Sequence, residues 1–472
     1  MSGLFGSLTQ SVQALSAHSR AIETAGRNLA NVNNPSYARQ RVLYADRGTV
    51  VTPNGAQSLG LEAKSIQQIR DSLLDAQVVR EVGLSASLNA QNTTLLNAQA
   101  ALGESIDRAS GTEGTTDSAY GLSASITDFF NAFQSFAARP TDQGERQNLV
   151  QQAEIMTERF NETDRRLAQI QTDVDSEVAT DVDDINRLLS SIGELNAQIG
   201  RIEINNPGSA ADLRDQRQAR IEELAGKMSI ETAPNATETG QVDVFVRDAS
   251  GNPVVLVSLA TVVNPVAYDG AQLTAGASAT PIALSGGSVS GLLTARDGAV
   301  QTLRDGIDAL ANQLASAVNA AYNPTGVSGD FFTITPSSGA ATLSLNSSIT
   351  ATSLKASETG GAADNTQALA VAELVTKKFS TASGDAINGT ITQHYTSVVS
   401  DLGRAVSGVQ SRLEDQSNIE TLVLNQRQAV SGVSIDEEMA DMLKFQRAFE
   451  AASRVVNIID GLLDIVVNRL GA

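Results

Sequence analysis

The sequence predicts a mainly α chain with inserted β. Its N- and C-terminal helices pair as a coiled coil, its body is a discontinuous long-helix bundle, and a small β-rich domain is set outside that body. Three observations predict this. Both chain ends carry apolar residues in steps of three and four, the period of a helix that lies along another helix. Long stretches of the middle keep the helical period. Two further stretches leave it for alternation and for Gly, Ser and Thr.

Composition narrows the function classes. The chain has 472 residues, of which 41 % are hydrophobic and only 4 % aromatic. That is enough for several domains with real cores. A formal charge of −20 argues against a nucleic-acid or anionic-membrane partner, which would require a basic face. Cysteine is absent, so disulfides and thiolate metal sites are excluded. No basic-then-apolar leader opens the chain and no apolar run approaches membrane-spanning length.

The first helix is expected over residues 3–31. Its seam is Phe5, Leu8, Val12, Leu15, Ile22 and Leu29, with Ser19 and Gly26 at two intervening positions. Asn33, Asn34 and Pro35 stop it, because the residue before proline avoids the α region. Alternation from Arg39 and a second extended run to about Ile69 predict a β-ribbon. Helix then returns over roughly Ser72 to Ser110, followed by a polar patch, Gly111 to Ser118. The next helix places Ile126, Phe129, Phe130, Phe133 and Phe136 on one side, which marks a body core.

A long helix is expected over roughly Asp142 to Ile204, with a seam at Ile185, Leu188, Ile192, Leu195, Ile199 and Ile202. Asn205 to Gly208 ends it, and a return helix carries Leu213, Ile221, Leu224 and Met228. At Ser229 the period becomes two, with Val242, Val244 and Val246 alternating with polar residues. Helix resumes near Gly291 and stops at Asn323-Pro324. Residues 325–362 are Gly/Ser/Thr-rich, with β-like runs at Phe331–Thr335 and Thr342–Leu345. Helical pattern covers Asp364–Phe379 and continues from Ile391.

The final stretch opens on a capping box, Ser434 with Glu437. Its seam is Met442, Phe445, Phe449, Ala452, Val456, Ile459, Leu463, Val466 and Leu470. The domains expected are 1–38 with 431–472, the terminal coiled coil; 39–228, 291–324 and 363–430, the helical body with a ribbon near 39–69; 229–290, the β-rich outer insert; and 325–362, a second insertion. A seam this thin buries little against the chain entropy of ordering two helices, so the ends are expected to become fully ordered only in an assembly.

No catalytic constellation stands out. The phosphate-cradling loop, the nucleophile elbow and the paired-histidine zinc motif are all missing. His18 and His394 lie far apart in sequence and neither belongs to a motif. No catalytic, cofactor-binding or metal-ligating residue is expected. Asp173, Asp175, Glu177, Asp181, Asp183 and Asp184 lack the glycine of a calcium loop, with Val178 in its place, and are expected to form a solvated helix face. In LRDQRQARIEEL, Arg214 with Glu222 or Arg217 with Glu223 is expected to make ordinary surface pairs.

The two ends also carry a resemblance. ANVNNPSYARQ, with Asn31, Asn33, Pro35, Tyr37, Arg39 and Gln40, resembles the N-terminal signature of the bacterial flagellar axial proteins. SGVSIDEEMADMLKFQRAFEAASRVV, Ser431 to Val456, resembles their C-terminal signature. Asp128–Val150, Leu213–Ala225 and Tyr395–Gly403 resemble the hook–filament junction members. The usual Thr-Pro-Gly-Tyr is here Asn34-Pro35-Ser36-Tyr37, so the turn is expected to differ where glycine would allow positive φ.

The resemblance implies a non-enzymatic, cofactor-free structural protein that is exported through the flagellar type III channel to the cell exterior. Its end helices would line an inner tube. The implied partners are the hook protein, the third hook-associated protein, copies of itself, and an export chaperone at the C-terminal region; nucleic acid and membrane are not among them. The competing readings are another axial protein, such as flagellin or the third hook-associated protein, a free-standing coiled-coil oligomer, and a secreted helical enzyme with a β-insert. The Ser431–Glu438 run and the Tyr37-x-Arg39-Gln40 form weigh against the other axial proteins.

Overall fold

A computed structural model describes residues 2–52, 55–103, 121–238, 240–326, 329–358, 361 and 364–465. In chain order, α1 is Ser2–Ala30, β1 Gln40–Asp46, β2 Thr49–Thr52, β3 Gly55–Ser58, β4 Leu61–Gln68, α2 Ser72–Ala101, α3 Leu122–Ala138, α4 Gln143–Glu203 and α5 Ala211–Lys227. The insert holds β5 Glu231–Pro234, β6 Val242–Arg247, β7 Pro253–Ser258, β8 Thr261–Val262, β9 Val266–Tyr268, β10 Leu273–Ala275 and β11 Thr280–Pro281. Then come α6 Ser288–Ala295, a π turn Arg296–Val300, α7 Gln301–Tyr322, β12 Phe332–Thr333, α8 Gly339–Thr342, β13 Ser344–Leu345, α9 Thr366–Ala372, α10 Ile391–Ser431 and α11 Ile435–Asp464. The class is mainly α with inserted β, as expected.

Contacts divide the chain into two units: 1–86, 181–287 and 415–472, and 87–180 with 288–414. This division differs from the expected one. The ribbon, the α4–α5 hairpin and the β-insert group with the terminal helices, and the long helices α2, α4 and α10 each give residues to both units.

In the first unit, α1 packs along α11 and against the ribbon strands β1 and β4. β1 and β4 are antiparallel with a bulge between Leu43 and Tyr44. The insert is a four-stranded sheet, β5-β6-β7-β8, and a three-stranded one, β11-β10-β9. Its ends meet, since the Ser285 N–H donates to Ser229 Oγ at 3.1 Å. The insert also rests on α4. Asn186 pairs with both backbone groups of Val266, at 2.8 and 3.0 Å, as a neighbouring strand would. Asn196 donates to the Val242 and Leu259 carbonyls, each at 2.8 Å. The α4 seam is buried at Ile185, Leu188, Ile192, Leu195 and Ile199, while Ile202 is exposed.

In the second unit the expected phenylalanines form the core. Ile126, Phe129, Phe130, Phe133 and Phe136 are buried with Tyr322, Phe331 and Phe332. Phe129 meets Phe133 edge-on at 5.1 Å between ring centres, and Phe331 meets Phe332 at 4.8 Å. β12 and β13 pair, giving the second insertion its only regular strands among the described residues.

Several boundaries move. α2 ends at Ala101, and the expected extension and the 111–118 patch fall largely outside the described residues. The expected helix Asp364–Phe379 is reduced to α9 and a 3₁₀ turn, Glu373–Val375. Phe379 instead bridges Gly389 as extended chain.

Candidate functional site

The residues of the N-terminal motif converge where α1 ends, α11 begins and α5 passes. Asn28, in the last turn of α1, is 1 % exposed and sits at the centre. Its amide donates to the Gln40 carbonyl at 2.8 Å and to Glu438 Oε2 at 2.9 Å. Its oxygen accepts the Gln40 N–H at 3.0 Å and the Tyr37 hydroxyl at 2.9 Å. All four bonding positions of the side chain are therefore used. Burial, then the nearby carboxylates Asp215 and Asp212, push the Tyr37 hydroxyl well above its usual range, so it remains a donor.

Arg39 completes the link to α11. Its Nε donates to Glu438 Oε1 at 2.6 Å and a terminal nitrogen donates to Glu437 at 2.7 Å. The Arg39 backbone N–H donates to the Ser431 carbonyl at 2.8 Å. Glu438 is only 3 % exposed, and Arg39 and the Asn28 amide are the donors that meet its two oxygens. The expected capping box does not form: Ser434 is the N-cap but makes no side-chain cap bond. Glu437 is drawn to Arg39 instead.

The other side of the motif is held by α5. The Ala38 N–H donates to Asp215 Oδ1 at 3.3 Å, and Gln40 Nε2 to Asp212 Oδ1 at 2.9 Å. Arg70 joins Asp215 at 2.6 Å, Asp75 at 3.0 Å and the Ser36 carbonyl at 2.8 Å. Arg427 near the end of α10 reaches Glu222 at 2.5 Å and the Pro35 carbonyl at 3.2 Å. Burial raises the Asp215 carboxyl to about 6, against the pull of Arg70, and its Oδ2 has no hydrogen-bond donor. Burial also raises Asp75.

LRDQRQARIEEL thus buries one face, Asp215, Arg217, Ile221 and Leu224, while Gln216, Arg220 and Glu223 stay exposed, and neither Arg214–Glu222 nor Arg217–Glu223 is formed. Arg214 and Glu203 form a pair whose carboxylate is fully buried, with Arg214 Nε at 2.9 Å. Arg217 is buried and donates to Asn196 Oδ1 at 2.8 Å and the Gly240 carbonyl at 2.7 Å. Burial, with the neighbouring Arg214 next, lowers it to about 10. The acidic run on α4 is likewise not simply solvated. Asp181 is buried against Lys227 at 2.5 Å, and Asp175 pairs with Arg296.

Of the motif residues, Tyr37, Arg39 and Gln40 lie in this clasp and Pro35 contributes its carbonyl. Asn31 caps its own helix through the Arg27 carbonyl at 2.9 Å. Asn33 is exposed. Ser36 needs no positive φ. The clasp residues that sequence reasoning missed are Asn28, Arg70, Asp75, Asp212, Asp215, Glu222, Arg427 and the pairing role of Glu438.

The C-terminal seam lies on the covered face of α11. Ile459 is buried, Met442, Phe445, Ala452, Val456 and Leu463 are half-buried, and Phe449 is at the edge; Val466 and Leu470 lie outside the described residues. The N-terminal seam is placed differently. The face of α1 that is covered carries Ala17, Ala21, Thr24, Ala25 and Asn28. Phe5, Val12, Ser19 and Gly26 are exposed, and Leu8, Leu15, Ile22 and Leu29 lie half-buried between the two faces. Small residues bring the backbones close, which is why this face does not read as apolar.

Two family models match the chain: the flagellar hook-associated protein FlgK helical domain over residues 113–330, and the flagellar basal body rod FlgEFG protein C-terminal region over 425–470. Flagellar hook-associated protein 1 of Bacillus subtilis is 28 % identical, with 100 % of this chain and 99 % of that protein aligned. The Escherichia coli protein of the same name is 23 % identical over 98 % of this chain and 99 % of its own. Among solved structures, the flagellar hook junction protein FlgK from Burkholderia pseudomallei shares the fold, with a TM-score of 0.62 at 15 % identity, covering 75 % of this chain and 100 % of that one. Matches at the helical domain and at the C-terminal end, and relatives aligned over nearly their whole length, lead to one conclusion: the chain is similar along its whole length to the flagellar hook-associated proteins of that name.

Proposed function

We infer that this chain is a structural junction protein of the bacterial flagellum, which joins hook to filament and allows the filament to assemble. The observation that carries the reading is the full-length likeness to proteins of that name, on a chain whose two ends are clasped into one antiparallel helix pair. A junction needs assembling ends held to the elements beside them, and the clasp joins the end helices to the ribbon and α5. The hook protein on one side, the third hook-associated protein on the other, copies of this chain and an export chaperone at the C-terminal region are the proposed partners. Its proposed place is outside the cell, at the hook's distal end.

A structural role is what the likeness to flagellar hook-associated proteins supports. His394 is half-buried against the Gly306 carbonyl at 3.3 Å, and burial lowers it. Among the described residues no cluster of His, Cys, Asp or Glu is arranged to hold a metal ion. The test is a deletion strain. It should form hooks, release unpolymerised flagellin and regain filaments when this chain is supplied. Normal filaments in the deletion strain would contradict the reading.

A further inference from the structure

The β-rich insert meets α4 along a stripe of small and polar residues. Asn186, Gly193 and Gly200 recur every seven residues, and Asn196 follows Gly193 by three, so all four lie on one side of the helix. Most of what they touch is main chain. Asn186 holds the N–H and the carbonyl of Val266, the first residue of β9, at 3.0 and 2.8 Å. Asn196 is fully buried and does the same for Val242, the first residue of β6, at 3.3 and 2.8 Å. Its amide also donates to the Leu259 carbonyl at 2.8 Å, where Leu259 holds a φ of 54°, a conformation that residues other than glycine rarely take. A Cβ at Gly193 would lie 2.9 Å from the Ala260 carbonyl oxygen, so glycine is what lets this turn approach the helix. The exception is Gln241, whose side-chain amide lies over Gly200.

The second insertion is seated in the same manner. Asn319 of α7 holds the N–H and the carbonyl of Phe332, the first residue of β12, at 2.8 and 2.9 Å. Asn161 of α4 donates to the Ala340 and Leu343 carbonyls at 3.1 and 2.9 Å. An asparagine amide offers one acceptor and a pair of donors, as a neighbouring strand does, and so recognises a backbone without reading the side chains on it.

The contact with α2 is looser. α2 meets the neck of the β-rich insert at Gly287, whose N–H donates to the Gly83 carbonyl at 2.7 Å. Beside that point a cleft of about 710 Å³ lies among Val79 and Leu84 of α2, Ile230 and Glu231 at the entry to the insert, and Ser285 at its exit. The wall that can set the angle of the insert is therefore α4.

We propose that α4 is a main-chain seat that fixes the β-rich insert at one angle, with Asn196 at its centre and Asn186 as its second point. The seat takes the backbone path of the insert and is indifferent to the side chains at the seated positions. The surface that the insert presents outward can then change without disturbing how it sits. Nothing in this seat depends on the junction role.

The chain has no cysteine, so spin labels at Glu194→Cys on α4 and Ala249→Cys in the β6–β7 turn, both exposed positions, report one distance in the full chain by pulsed electron paramagnetic resonance. The otherwise native chain should give a single narrow distance. Asn186→Ala with Asn196→Ala should broaden or displace it. Val242→Thr with Leu259→Asn and Ala260→Ser changes side chains at the seated positions and should leave it narrow and in place. An unchanged distance in the asparagine variant, or equal broadening in the side-chain variant, would overturn the seat. Where the asparagine variant does not fold, Gly193→Ala keeps both asparagines and sets a Cβ against the Ala260 carbonyl. It should displace the distance, and an unchanged distance there also counts against the seat.

Discussion

Asn28 in the last turn of α1 donates to Glu438 in the first turn of α11 at 2.9 Å, across 410 residues of sequence. The same side chain binds Gln40 twice and Tyr37 once. One buried amide therefore joins the first helix, the motif that follows it and the last helix. Asn28→Ala would leave the Tyr37 hydroxyl and both backbone groups of Gln40 unpaired in the interior. Each such group costs about 1–3 kcal/mol, so the variant should lose about 3 kcal/mol or more. Asn33→Ala, at an exposed position, should stay within about 0.5 kcal/mol. Denaturant unfolding followed on both variants checks the contrast; equal losses would remove the clasp from the account.

Asp215 makes stability depend on pH in an unusual direction. Its folded pKa is about 6, above the ordinary 3.8. Between those values the folded chain binds more protons than the unfolded one. Unfolding free energy from this group therefore falls as pH rises from about 4 to about 6 and is level above that. The change is on the order of 3 kcal/mol, from roughly two pKa units. Asp215→Asn removes it. The difference in stability between the variant and the native chain should shift towards the variant across that range, measured by denaturant unfolding at several pH values. A shift in the opposite direction would show the carboxylate to be favoured by its Arg70 partner.

The α11 seam separates two neighbouring residues. Ile459 is buried and Asp460 is exposed. Ile459→Asp places an unpaired carboxylate in the contact and should cost about 3 kcal/mol or more, with loss of incorporation into flagella. Asp460→Asn should be tolerated. Flagellar incorporation of the two variants, measured by immunoblot, distinguishes the covered face from the open one.

Much of this was legible in the sequence, and the exceptions share a cause. The α11 seam, the ribbon, the phenylalanine core and both inserts follow from local period, which one segment carries alone. The covered face of α1 did not, because Ala17, Ala21 and Ala25 lie close to α11 and the ribbon by being small, while Phe5 and Val12 attract the eye as apolar. The clasp was hidden for a different reason. Asp215 and Glu438 meet Arg70 and Arg39 across 145 and 399 positions of sequence, and no local pattern in either segment announces those partners. Glu437 matched a capping box that Arg39 then took apart. The two units were not separable by composition, since α2, α4 and α10 run through both.

Exchange of backbone amides should grade along α1 in the isolated chain. The Arg39 and Gln40 N–H groups donate to Ser431 and Asn28 and should exchange slowly with Thr24 to Asn28. The half around Phe5 and Val12 has an open apolar row and should exchange faster, then gain protection in assembled flagella. Uniformly slow exchange before assembly would show the terminal pair to be fully set in the free chain.

The most direct test of the clasp as the fixing element of the junction is a charge exchange between Arg39 and Glu438. Arg39→Glu and Glu438→Arg each set like charges against one another in a nearly closed site, and each should abolish filament attachment in the complemented deletion strain. The doubly exchanged chain restores an opposite pair and should recover attached filaments in part, counted by electron microscopy. Full flagellation in either single variant, or no recovery in a double variant that is stably folded and exported, would contradict the account.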